Sequence, residues 1–98
     1  MNETEAHVSF ILTRIHVGDY DRWKPQFDQD RPRAREAATN YRVFRNAGDP
    51  NEVFILIEFE SQEDAQTARE RLVVSGVLDR FEDMTGPTIL EVAETVTR

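Results

Sequence analysis

The chain has 98 residues and a formal charge of −7, with 12 basic and 19 acidic side chains, and no cysteine. That length holds one domain, and the 39 % hydrophobic and 32 % charged content is that of a globular protein. The composition excludes a disulfide framework and a thiolate nucleophile or metal ligand, and no apolar run approaches the roughly 20 residues of a membrane-spanning helix.

The charge is unevenly placed. Residues 1–49 carry eight acids and eight bases, and residues 50–98 carry eleven acids and four bases, so the whole −7 falls in the second half. A net negative surface repels polyphosphate, which argues against a nucleic-acid partner. Bases gather at Arg31, Arg33, Arg35, Arg42 and Arg45. A solvated face is the plain reading of that cluster, and a patch for a small anion is the sharper one. The polar start, residues 1–6, reads as a disordered tail without the basic and apolar segments of a secretory signal. The expectation is a cytoplasmic protein with a single domain over residues 7–98.

In chain order, residues 8–17 alternate as a first strand, with Val8, Phe10, Leu12, Arg14 and His16 on one side and Ser9, Ile11, Thr13, Ile15 and Val17 on the other. Gly18-Asp19 ends it. Tyr20, Trp23 and Phe27, followed by Ala34 and Ala38, recur at helical spacing, and Asp19 or Asp21 can cap the helix start. Pro32 predicts a break near Asp30, because an interior proline removes a donor and clashes with the preceding turn. Residues 41–46 and 52–60 read as two strands joined through the turn residues 47–51, which makes them a hairpin. Ser61 caps a second helix with Ala65, Ala68 and Leu72 on its buried stripe. Val77, Leu78, Phe81 and Met84 suggest a further short helix closed by Gly86-Pro87, and residues 88–96 a last strand.

The order β-α-β-β-α-β is the ferredoxin-like α+β arrangement. It predicts a four-stranded antiparallel sheet with helices on one face and the first and third strands in the centre. Two helices cover one face, yet both rows of the first and third strands are largely apolar. The expected uncovered face carries Phe54, Leu56, Ile89, Ala93 and part of the first strand. Several hundred Å² of exposed apolar surface calls for a partner, and a second copy packed sheet to sheet is the expected one.

Topology, length and local patterns resemble the dimeric α+β barrel superfamily, which includes antibiotic-biosynthesis monooxygenase-like domains. The resembling segments are residues 8–17 running into Tyr20-Asp21-Arg22-Trp23-Lys24, the hairpin pieces 41–45 and 49–53, and the junction Glu58-Phe59-Glu60-Ser61. The resemblance implies a homodimer with two facing sheets and a pocket between sheet and helices. Members include cofactor-free quinol oxygenases, isomerases and haem-degrading enzymes. The haem-degrading members use a Trp in the later helical region and a His after it. Here no His follows His16, and the one Trp is Trp23, in the first helix.

Candidate chemistry is sparse. His7 and His16 lie nine apart on one strand and point to opposite faces, so they cannot share a metal, and no metal site is expected. His16 with Arg14 on the same strand face is the candidate catalytic pair: a neutral imidazole takes a proton from a phenol or quinol, and an arginine holds the resulting anion. Trp23, Tyr41 and Asn40 are the candidate ligand-binding residues, although Trp23 spaced with Tyr20 and Phe27 also reads as core and Asn40 as loop chemistry. The leading functional expectation is a cofactor-independent monooxygenase or isomerase acting on an aromatic or quinone-like molecule. The alternative is a non-catalytic ligand-binding or dimerisation domain. An RNA-recognition module shares the element order, but its third strand should carry a base, glycine and spaced aromatics, whereas residues 51–59 have no base and no glycine.

Overall fold

The computed structural model describes residues 8–98; the expected tail and His7 lie outside the described residues. Six elements follow one another: β1 (Ser9–His16), α1 (Tyr20–Asp28), β2 (Asn40–Asn46), β3 (Asp49–Phe59), α2 (Gln62–Ser75) and β4 (Met84–Glu91). The sheet is antiparallel in the order β2-β3-β1-β4. The first and third strands are central, as the ferredoxin-like reading requires.

Pairing with β3 fixes the faces of β1. Ile11 opposes Ile57, Thr13 opposes Ile55 and Ile15 opposes Val53. These residues, with Ser9 and Phe59, are buried beneath the helices against Trp23, Ala34, Ala65 and Ala68. The two small alanines of α2 let the helix lie close on the sheet. Both helices start as their sequences dictate. Asp19 accepts from the backbone N–H groups of Asp21 and Arg22, and Ser61 Oγ accepts from that of Asp64 at 3.0 Å. α1 stops at Asp28, short of Pro32. Asp30 turns the chain with φ 46°, and its carboxylate accepts from the backbone N–H groups of Ala34 and Arg35 at 3.1 and 3.0 Å. That turn carries Ala34 into the core and Arg35 beneath α1.

The last third departs from the sequence reading. Residues 77–84 form no helix: tight turns run from Gly76 to about residue 80, and Met84 opens β4. The last strand is Met84–Glu91, earlier than 88–96. Gly86-Pro87 lies inside it, at a register shift where β1 passes from Leu12 to Arg14. An edge strand with a bulge tolerates proline, because no neighbour needs the missing N–H. Pairing begins at Met84 opposite Ile15 and is complete when Glu91 meets Ser9, which leaves residues 92–98 outside the ladder. The same pairing corrects the uncovered face. Ile89 opposes Ile11 and packs with the core, while Leu90 opposes Phe10 on the outer side.

Candidate functional site

The structure divides the five sequence-derived site residues between the two faces of the sheet. Arg14, His16 and Asn40 belong to the outer face, and Trp23 and Tyr41 to the helix side.

On the outer face Arg14 is enclosed by acids. Its Nε donates to Glu52 at 2.7 Å and its Nη2 to Asp83 at 2.8 Å. Both contacts hold the guanidinium proton more firmly, Asp83 most. Glu52 also accepts from Asn46 Nδ2 at 2.6 Å. That bond and the Arg14 contact lower its carboxyl below the usual glutamate value. His16 Nε2 lies 3.1 Å from Asp49 Oδ2. Asn40 donates to Glu58 at 3.0 Å. Each group therefore already has a partner, and the charge of Arg14 is met by two carboxylates. His16 and Trp23 both line an open furrow where β1 runs into α1, together with Asp19, Arg80 and Asp83.

Between the sheet and the helices lies a half-enclosed cavity of about 180 Å³. Its floor is Thr13, Ile15, Ile55 and Ile57; Trp23 and Phe27 of α1 form one wall, and Leu72, Leu78 and Phe81 close the other. Trp23 and Phe27 stack at 4.9 Å between centroids, and Tyr41 meets the Phe27 ring edge-on at 5.9 Å. Four charged residues also line this apolar chamber: Asp30, Arg31, Arg35 and Arg80. The guanidinium of Arg35 lies over the Phe27 ring at 3.7 Å and over Tyr41 at 4.8 Å. Sequence reasoning placed Trp23 here as either core or ligand platform, and it is both buried and cavity-lining. It read Phe27 only as core, and Arg35 only as one of five clustered bases forming a solvated face or a small-anion patch. The clustered arginines at 31–35, following an aromatic helix, were the available signal.

Among the described residues no three His, Cys, Asp or Glu side chains stand close enough to hold a metal ion, and no helix is long and apolar enough to cross a membrane.

No protein-family model matches the chain, and no curated protein matches it. Solved structures do. A Nitrosomonas europaea protein, provisionally assigned as an antibiotic biosynthesis monooxygenase, superposes with a TM-score of 0.67 at 13 % identity, covering 90 % of this chain and 92 % of its own. SnoaB, a cofactor-independent oxygenase from Streptomyces nogalater, in a point-mutant form, gives 0.66 at 11 % identity over 95 % of this chain and 99 % of its own. Rv0793 from Mycobacterium tuberculosis gives 0.61 at 11 % identity over 92 % and 97 %. The chain shares the ferredoxin-like α+β fold of these solved structures, over nine-tenths or more of its length.

Proposed function

We propose that this protein is a homodimeric barrel whose sheet–helix cavity binds a small aromatic or quinone-like molecule. The observation that carries the reading is the half-enclosed cavity walled by the stacked rings of Trp23 and Phe27. A concave, mostly apolar site with a few converging polar groups is the ordinary form of a small-molecule site. Dimerisation rests on the outer face of the sheet. Phe44 opposes Phe54, Leu12 opposes Leu56 and Phe10 opposes Leu90, which makes a diagonal apolar band across all four strands with Arg14, Arg42, Glu58 and Thr88 around it. Phe44 is 41 % exposed, a costly state for an aromatic ring that a second copy would relieve.

The test uses Trp23, the one tryptophan in the chain. A panel of single-ring phenols, quinones and benzoates is expected to change its emission saturably, and no saturable change with any member would end the cavity reading. A second reading, cofactor-independent oxygenation or isomerisation of the bound molecule, is favoured by the fold shared with SnoaB. Oxygen uptake with a hydroquinone in metal-free buffer tests the oxygenase form. Binding without turnover of any panel member leaves the protein a ligand carrier.

A further inference from the structure

The cavity holds a guanidinium whose hydrogen bonding is incomplete. The side chain of Arg35 is 8 % exposed. Its Nη2 donates to the Phe27 carbonyl. Its Nε stands 3.6 Å from Asp30 Oδ1, beyond hydrogen-bond length. Asp30 is itself occupied by the backbone N–H groups of Ala34 and Arg35. The remaining terminal nitrogen, Nη1, is buried with no acceptor. A buried donor on a charged group left without an acceptor is costly, so such a group usually marks a missing partner.

Charge points to the nature of that partner. Three arginines and one aspartate line the cavity, a local excess of positive charge in a chain whose formal charge is −7. Arg31 and Arg80 do not discharge it, since their hydrogen bonds go to the neutral amides of Gln29 and Gln26. Arg14 on the outer face is the contrast, a base matched by two acids. Size narrows the choice further. An apolar cavity of about 150 Å³ accepts benzene, so about 180 Å³ accommodates one ring and a small substituent.

We propose that the cavity takes a small aromatic carboxylate, one ring bearing one anionic group. The carboxylate accepts from the Arg35 guanidinium, and the ring lies against Trp23 and Phe27. The inference rests on the reading of this cavity as a ligand site and adds the ligand's charge and class. A carboxylate asks for one or two donors, which Nε, without a hydrogen bond, and Nη2, with one, still offer; a phosphate presents three acceptors to a guanidinium with little left to donate.

The experiment titrates the full chain with benzoate, benzamide and phenyl phosphate at neutral pH and fixed ionic strength, following Trp23 emission in the unsubstituted protein, Arg35→Lys and Arg35→Met. Benzoate is expected to bind the unsubstituted protein at least about tenfold more tightly than its neutral isostere benzamide. Arg35→Met should abolish that preference while keeping benzamide binding, and Arg35→Lys should keep part of it. Equal affinity for benzoate and benzamide, or a preference unchanged in Arg35→Met, overturns the carboxylate assignment and leaves the cavity reading standing. Tighter binding of phenyl phosphate than of benzoate overturns it in favour of a phosphate site. No saturable response to any of the three overturns the carboxylate assignment, and the phenols and quinones of the wider panel then decide whether the cavity reading falls as well. If thermal melts show that Arg35→Met does not fold, the benzoate-to-benzamide ratio in the unsubstituted protein and in Arg35→Lys decides.

Discussion

Arg14 and Glu52 stand on neighbouring central strands, and their side chains meet at 2.7 Å on the sheet face away from the helices. Glu52 takes a second hydrogen bond from Asn46, and the two together depress its carboxyl. Glu36 is lowered in the same way, by Arg33 first and then Arg71. A carboxyl whose folded value lies below its unfolded value adds stability above the unfolded value, about 4.3 for glutamate, and that contribution disappears as pH falls through the folded value. Stability to urea is therefore expected to be flat from neutral pH to about pH 5 and to decline below it. Glu52→Gln should decline less steeply. Urea midpoints followed by Trp23 emission from pH 7 to pH 3 check both, and an identical acid slope in the two proteins would deny Glu52 its part.

Gly86 sits at the register shift between β1 and β4 with φ 102°, a region that side chains with a Cβ rarely enter. A Cβ built there would lie 2.6 Å from the Leu12 carbonyl oxygen, a backbone atom that cannot swing aside. Gly86→Ala is expected to destabilise by about 2 kcal/mol or more, from the backbone strain and the clash together. Gly18, with φ 80° and open space around the same position, should suffer only the strain. Comparing urea midpoints of Gly86→Ala and Gly18→Ala separates the two effects. Equal losses would show that the close approach of β1 adds nothing.

His16 is bonded to Asp49 and lines the open furrow but not the cavity, which adjoins the furrow through Trp23, Gln26, Arg80 and Phe81. His16→Ala should leave the affinity of a cavity ligand within about twofold of the unsubstituted protein, the usual insensitivity to a surface substitution that removes no ligand contact. Trp23 emission titrations measure it. A tenfold loss would return His16 and Arg14 to the site as the sequence reading had them.

The fold was legible because its signals are local. Asp19 and Ser61 cap where they stand, Pro32 stops α1, and the 47–51 turn joins β2 to β3. Two things were not local. Gly86-Pro87 looks like a terminator by itself, and only its place on an edge strand, at a bulge against Leu12 and Arg14, makes it tolerable within β4. The choice of face was equally hidden. Val53, Ile55 and Ile57 make one apolar row on β3 and Phe54 and Leu56 another, so either could have met the helices, and the position of His16 and Arg14 followed from that choice. The cavity needed still more distant information. Phe27 and Arg35 meet because Asp30 turns the chain between them, and Leu78 and Phe81 reach the far wall from a segment some fifty residues away.

Phe54 occupies the middle of the outer face, opposite Phe44 on β2 and Arg14 on β1. Its own row is apolar toward Leu56 and turns acidic at Glu58. If two copies meet over this band, a carboxylate at its centre must lose its water in both subunits beside an Arg14 whose hydrogen bonds already go to Glu52 and Asp83, and the cost is doubled by symmetry. Phe54→Asp is therefore expected to be monomeric where the unsubstituted protein sediments at twice 11.4 kDa. Its core is spared, because Val53 and Ile55 face the other way, so circular dichroism should remain close to that of the parent protein. Val74, 79 % exposed on α2 and remote from the sheet's outer face, supplies the control: Val74→Asp should stay dimeric. A parent protein that sediments as a folded 11.4 kDa particle at micromolar concentration would mean that the band is tolerated bare, and the homodimer would have to be given up.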